Sequence, residues 1–211
     1  MADLFYLQDS RSNVGSRAMF WRDGGGYTSN LDEAEQFTRE AAVKQYECRD
    51  TDLPWPVDYV RGWVQVGVDH QYLDLTAEQA LATAPADDRL YVAYRREWDG
   101  NCLVWRSLAN GPTSNLADAS TWTLAHASGF AARGDEPWPK SYIDEHSRPV
   151  VQACMLDHKK ALRSVGLELP KLQRPRYRSY SNLLNCEGCG RFLNERQRFD
   201  DCPNCGTRNA P

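Results

Sequence analysis

The tetrapeptide Thr28-Ser29-Asn30-Leu31 recurs as Thr113-Ser114-Asn115-Leu116, 85 positions further on. The match extends on both sides. Leu31-Asp32-Glu33-Ala34 faces Leu116-Ala117-Asp118-Ala119, Phe37-Thr38 faces Trp122-Thr123, and Ala42 faces Ala127. Upstream, Trp21-Arg22 meets Trp105-Arg106 after a one-residue gap. Downstream, Pro54-Trp55-Pro56 meets Pro137-Trp138-Pro139 at an offset of 83, which then carries Tyr59 onto Tyr142, Val68 onto Val151 and Leu73-Asp74 onto Leu156-Asp157. A fixed-period match of this length reads as a tandem duplication, with copies near residues 4–75 and 90–158. The chain must therefore fold as two similar modules.

Each copy opens on an alternating aromatic and aliphatic run, Leu4-Phe5-Tyr6-Leu7 or Leu90-Tyr91-Val92-Ala93-Tyr94, which suits a β-strand. A second strand follows at Ala18-Met19-Phe20-Trp21 or Cys102-Leu103-Val104-Trp105. Asn30 and Asn115 are expected to cap short helices, with acids in the first turn where the helix dipole favours them. In those helices Ala34 with Phe37, and Ala119 with Trp122, form the apolar face. Pro-Trp-Pro should interrupt regular structure, because proline lacks an amide hydrogen and restricts the residue before it. An amphipathic segment closes each copy. In the second it runs through Val150, Val151, Cys154, Met155 and Leu162 at helical spacing. The fold class is thus α+β. Shared positions read as core and caps, so function is expected where the copies differ or in the groove between them.

The composition is that of a globular chain, with 41% hydrophobic and 26% charged residues and seven tryptophans. No apolar run approaches the roughly 18–20 residues that span a bilayer, and the N-terminus lacks signal-peptide character, so no membrane role and a cytoplasmic location are expected. Net charge is −4 but uneven: +5 from Val151 onward and −9 before it. An acidic body with a basic tail predicts a charged partner for the tail and argues against the body itself lying on phosphates.

Four of the seven cysteines form Cys186-Glu187-Gly188-Cys189 and Cys202-Pro203-Asn204-Cys205, with 12 residues between the pairs. Two C-x-x-C pairs can bring four thiolates to one metal from two tight turns. Gly190 and Gly206 follow each pair, where a positive φ lets amides point at sulfur. The pattern resembles a zinc ribbon built of two knuckles. That resemblance implies one Zn2+ held by Cys186, Cys189, Cys202 and Cys205, with no open position and hence a structural role. Cys102 and Cys154 read as buried thiols, and no histidine pairs recognisably with a cysteine as a catalytic base would.

Between the second copy and the ribbon, Leu169–Tyr180 carries Lys171, Arg174, Arg176 and Arg178 with Tyr177 and Tyr180 interleaved and no acid. Such a segment can be a Pro-stiffened spacer, can track phosphates and stack on bases, or can bind an acidic protein surface. Gly24-Gly25-Gly26 is no phosphate loop, since neither GxGxxG nor a following Lys-Ser/Thr is present. HExxH, GxSxG and the kinase motifs are also missing, so no catalytic residue is assigned. The expected organisation is a first α+β repeat at 1–75, a connector at 76–89, a second repeat at 90–166, a basic linker at 167–182 and a ribbon at 183–211.

The run from Phe20-Trp21-Arg22 through Gly26-Tyr27-Thr28-Ser29-Asn30-Leu31-Asp32-Glu33-Ala34 to Phe37-Thr38 resembles small modules of uncharacterised bacteriophage proteins. The resemblance implies a phage or prophage origin and no particular activity. The expectation is a non-enzymatic accessory protein that binds and modulates a host protein or nucleoprotein, such as a defence-system inhibitor. The alternatives are a DNA- or RNA-binding ribbon protein and an enzyme with a site between the repeats.

Overall fold

The computed structural model describes residues 4–171, 184–194, 197 and 199–209. The chain divides into two units between Lys171 and Leu172. It is α+β. The first half of the larger unit runs β1 (Leu4–Val14), β2 (Arg17–Trp21), β3 (Tyr27–Thr28), β4 (Phe37–Thr38), α1 (Arg39–Cys48), β5 (Asp52–Pro56), α2 (Val57–Arg61) and β6 (Gln65–Gly67). A 3-10 turn at His70–Tyr72 and α3 (Ala77–Thr83) complete it, α3 falling inside the stretch 76–89. The second half runs β7 (Leu90–Asp99), β8 (Cys102–Ser107), β9 (Gly111–Thr113), a 3-10 turn at Leu116–Asp118, α4 (Leu124–Ala131), β10 (Glu136–Pro139), α5 (Lys140–Glu145) and β11 (Arg148–Val150). It ends on a 3-10 turn at Ala153–Met155 and α6 (His158–Ser164). The order of elements in the first half recurs in the second, with a single bridge, Leu90 to Trp122, where the first half has β4.

Pairing recurs with the order. β1 is flanked by β2 and β5, and β7 by β8 and β10, all antiparallel. Tyr6 faces Trp55 as Tyr91 faces Trp138; Phe20 faces Thr28 as Trp105 faces Thr113. The Tyr6 and Phe20 rings lie 5.5 Å apart at 53°, and those of Tyr91 and Trp105 lie 5.6 Å apart at 55°. This register puts Phe20, not Trp21, opposite Trp105, and the one-residue gap disappears. Matching Trp-Arg by identity picks the wrong face of the strand. The inward alternation puts Phe20 and Trp105 in the core, both fully buried.

Three other local expectations change for physical reasons. Pro-Trp-Pro does not interrupt regular structure; it forms β5 and β10, each paired on one side only. The carbonyl of Pro54 turns away from β1 to accept His158 Nε2 at 3.0 Å, so its imino nitrogen also sits on the outer side, where proline removes no ladder bond. Asn30 and Asn115 each cap a single turn, accepting from Asp32 N and Ala117 N, and no α-helix follows directly. The helices α1 and α4 begin after Thr38 and Thr123, and turn Ala42 and Ala127 inward. The closing segment of the second half is a strand, a 3-10 turn and a helix. Val150, Val151 and Leu162 are buried by it, whereas Cys154 and Met155 are exposed.

The two halves exchange their ends. Val68 and Ala80, from the first half, pack in one core with Tyr91, Leu103, Trp105, Leu116, Trp138 and Ile143 of the second. Val151 and Ala161, from the second half, pack in another with Tyr6, Ala18, Phe20, Leu31, Trp55 and Val60 of the first. Full burial of a valine such as Val68 or Val151 is worth about 1.5–3 kcal/mol, and of an alanine methyl about 0.8 kcal/mol. Backbone bonds follow the same exchange: Ala18 N donates to Val151 O at 3.0 Å, and Leu103 N to Val68 O at 2.9 Å. The exchanged ends meet where β6 pairs β11, Gln65 with Val150, Val66 with Pro149 and Gly67 with Arg148. At an offset of 83 this pairing maps onto itself, as at a two-fold axis.

The recurring TSNL is the loop that receives the exchanged end. Leu31 N donates to Pro149 O at 2.9 Å, and Val66 N donates to Asn115 Oδ1 at 3.0 Å. The threonine hydroxyl fixes the loop in both halves, accepting from Asn30 N or Asn115 N.

The halves differ beneath their buried tryptophans. Trp55 Nε1 donates to the buried Gln8 side chain at 2.7 Å, whereas alanine, Ala93, occupies the position equivalent to Gln8 and Trp138 Nε1 has no partner among the described residues. Trp55→Phe should therefore lose a bond and strand Gln8, while Trp138→Phe removes only an unpaired donor. Urea unfolding should show Trp55→Phe costing about 1–2 kcal/mol more than Trp138→Phe.

Candidate metal centre

Among its described residues the smaller unit has almost no core. Its buried cluster is Cys186, Leu193 and Cys202. Around it lie β12 (Leu184–Asn185), β13 (Phe192–Leu193) and a bridge from Asp201 to Arg208. Two turns of the same design present the cysteines. In the first, Cys186 N donates to Arg191 O and Gly190 N to Cys186 O, both at 2.8 Å. In the second, Cys202 N donates to Thr207 O and Gly206 N to Cys202 O, again at 2.8 Å. Gly190 and Gly206 have φ of 70° and 72°, a conformation that costs a side-chain-bearing residue about 1 kcal/mol or more.

These turns gather Cys186, Cys189, Cys202 and Cys205, whose sulfurs all lie within 4.8 Å of one another. Cys186 and Cys205 Sγ are 3.6 Å apart, and Cys189 and Cys202 Sγ 3.7 Å. Tetrahedral coordination with metal–sulfur bonds of about 2.3 Å demands sulfur separations of about 3.8 Å, and a disulfide about 2.05 Å. The spacing is that of a metal's ligands and not of disulfides. Nearby donors favour thiolate at two of the four. The Thr207 side chain and amide bring the Cys205 thiol down to about 6, and the Arg191 amide, with the Asn204 side chain, lowers that of Cys189. At Cys202 the Asn204 and Cys205 amides pull down, but burial and the neighbouring Cys186 and Cys205 thiols push the thiol up. Asn204 Nδ2 lies 3.5 Å from Cys189 Sγ, and Gly188 N 3.4 Å from Cys186 Sγ. A four-thiolate set of this kind could hold a metal ion, and soft sulfur ligands in tetrahedral array select Zn2+ or iron among common metals.

Of the basic linker, Lys171 is exposed; Arg174, Arg176, Tyr177, Arg178 and Tyr180 lie outside the described residues. The remaining cysteines belong to the larger unit. Cys102 is buried, and its thiol is pushed up by that burial against the pull of Arg17 and Arg148. Cys48 and Cys154 are exposed.

Sequence reading had no signal for a polar cluster where the halves meet. Arg17, fully buried, donates to Gln65 Oε1 at 2.7 Å and to Ser114 Oγ at 2.6 Å, and its Nε lies 3.7 Å from Asp99 Oδ2. Burial raises the Asp99 carboxyl, but the hydroxyl and amide of Ser16, the Ser114 hydroxyl and Arg17 together hold it below its ordinary value. Arg148 Nη2 pairs with Asp69 Oδ2 at 2.5 Å. Away from this contact, an open groove of about 540 Å³ runs between α3, α4 and β10, with Glu78, Arg95, Asp135 and Glu136 on its walls.

No described helix is long and apolar enough to cross a membrane. The chain matches no family model, no curated protein and no solved structure. Fold and site together define it as an α+β protein with a four-cysteine centre suited to a metal.

Proposed function

We propose that this chain is a non-enzymatic binding protein of the cytoplasm, in which a duplicated acidic body engages a partner protein or nucleoprotein and a C-terminal ribbon is folded by one structural Zn2+. The observation that carries the reading is the four-sulfur cluster at metal-ligand spacing on two matching turns. A site with four thiolates offers no open coordination position, so its zinc supplies folding energy instead of chemistry. Duplication is supported by the recurrence of elements, strand partners and buried aromatics at offsets of 85 and 83. The charge of −9 before Val151 suits a basic surface on the partner, such as a nucleic-acid channel of a host enzyme. A phage-type accessory role, with inhibition of a host defence system as its sharpest form, has the GYTSNLDEA resemblance as its support.

The test is capture of partners by the tagged full-length chain from bacterial lysate, with and without nuclease, at rising salt. A single host protein retained after nuclease is the expected result. Loss of all bound material after nuclease, with affinity falling steeply as salt rises, would transfer the function to the basic segment around Arg174, Arg176 and Arg178.

A further inference from the structure

Where the two halves meet, the backbone bonds Ala18 N to Val151 O and Ala153 N to Ser16 O recur across the pseudo-two-fold as Leu103 N to Val68 O and His70 N to Asn101 O, but the ion pairs are placed once. The first half contributes the cation of one pair, Arg17, and the anion of the other, Asp69. The second contributes Asp99 and Arg148. Counterparts at equivalent positions are uncharged: Val14 for Asp99, Cys102 for Arg17, Gln65 for Arg148 and Gln152 for Asp69. Arg17 is wholly buried, Asp69 is 4% exposed and Arg148 11%.

We propose that these two crossed ion pairs make the surface joining the halves specific for unlike partners, so that the half at 4–83 accepts the half at 90–164 and rejects a second copy of itself. The exchanged ends explain why such selection is needed. Each core is completed by residues from the other half, and the β6–β11 pairing is self-complementary. On shape alone, a first half could receive the end of a first half from another molecule. Two first halves would then bury Arg17 against Val14 and Asp69 against Gln65. Two second halves would bury Asp99 beside Cys102 and Arg148 beside Gln152. Every charge in either pairing would lose its counter-ion, Arg17 and Asp69 where they are buried and Asp99 and Arg148 where they are part-buried, an arrangement costly to a protein interior. The inference stands on contacts within the larger unit and is independent of the zinc reading.

The experiment begins with the full-length chain carrying a protease-cleavable sequence between Ala86 and Asp87, in the exposed stretch after α3. After cleavage the halves should remain together as one particle of unchanged mass. After unfolding in urea and refolding, native mass spectrometry should find the unlike pair, with like pairs at less than about one part in a hundred, given the penalty for a broken buried ion pair. Separation of the halves as folded pieces, or a statistical mixture of like and unlike pairs, would overturn the proposal. The uncut chain provides a second measurement that needs no refolding. Asp69→Asn and Arg148→Gln should each lower the melting temperature, and the double variant, which approximates the neutral Gln65 and Gln152 of the other side, should recover most of the loss. Strictly additive losses would show that the pair is not coupled and would overturn its role.

Discussion

Gly15→Ala should destabilise the larger unit more than any other change of one methyl group. Gly15 has a φ of 59° in the β1–β2 turn, and its equivalent Gly100 has 63° in the β7–β8 turn. The two turns meet backbone to backbone. A Cβ on Gly15 would lie 2.2 Å from Gly100 N and 2.4 Å from the Asp99 carbonyl carbon; one on Gly100 would lie 2.5 Å from the Val14 carbonyl carbon. No rotamer relieves a clash with main chain, so the turns themselves must part. Parting them would pull Ser16 from Asp99, whose carboxylate accepts both the Ser16 amide and hydroxyl. Left-handed backbone and forced overpacking together suggest a loss on the order of 3–5 kcal/mol. That corresponds to a fall of about 8–15 °C in melting temperature for a unit of this size. Gly24→Ala is the control: φ is 78°, but a Cβ there would meet nothing within 4 Å. It should cost only the conformational part, about 1 kcal/mol. Equal small losses at Gly15 and Gly24 would mean that the turns do not pack as described.

The recurring order of elements was legible in the sequence because its most recognisable words are tied to local geometry. TSNL recurs because a threonine hydroxyl and an asparagine carbonyl fix one loop in each half. Pro-Trp-Pro recurs because an edge strand tolerates proline on its outer side while Trp55 and Trp138 point inward. Cysteine spacing was legible for the same reason, since two intervening residues define a turn.

What stayed hidden depends on partners distant in the chain. Val68 and Val151 read as core residues of their own copies, and they are fully buried, but each in the other copy's core. Hydrophobic periodicity records that a face is buried and is silent on which surface buries it. Arg17, between Ser16 and Ala18 in an ordinary strand opening, has nothing in its neighbourhood that announces a buried charge. Its partners come from far along the chain, Gln65 in its own half and Asp99 and Ser114 in the second. The expected helix after Asn30 failed for a related reason. Glu33 O accepts from Asp23 N and Glu35 N donates to Trp21 O, so the groups that would continue a helix are taken across the loop and the turn ends where β4 can rejoin β1. Tertiary pairing overrode a sound local cap.

With the four-cysteine centre holding Zn2+ as proposed, removal of that metal should abolish the fold of the smaller unit and leave that of the larger one intact. Among the described residues the smaller unit buries Cys186, Leu193 and Cys202, two of which are ligands. One leucine cannot offset the entropy of ordering the two knuckles and the strands between them, at about 1–2 kcal/mol for each residue's backbone. Structural zinc contributes about 10–16 kcal/mol in comparable small domains near neutral pH, enough to do so. The full-length protein is therefore expected to carry one zinc per chain by elemental analysis. Cys186→Ser and Cys202→Ser, which remove buried ligands, should each reduce that to near zero. A strong chelator should erase amide-exchange protection over 184–194 and 199–209, including the two amides that close the knuckles at Gly190 and Gly206. The melting transition of the larger unit should not move in the same sample, because its cores are formed from residues between Phe5 and Leu167. Metal other than zinc in the purified protein would leave the four-thiolate geometry standing and change the role assigned to it, since iron in such a site brings redox chemistry that zinc lacks. Persistence of exchange protection after complete metal removal would mean that the smaller unit is held by something other than its sulfurs.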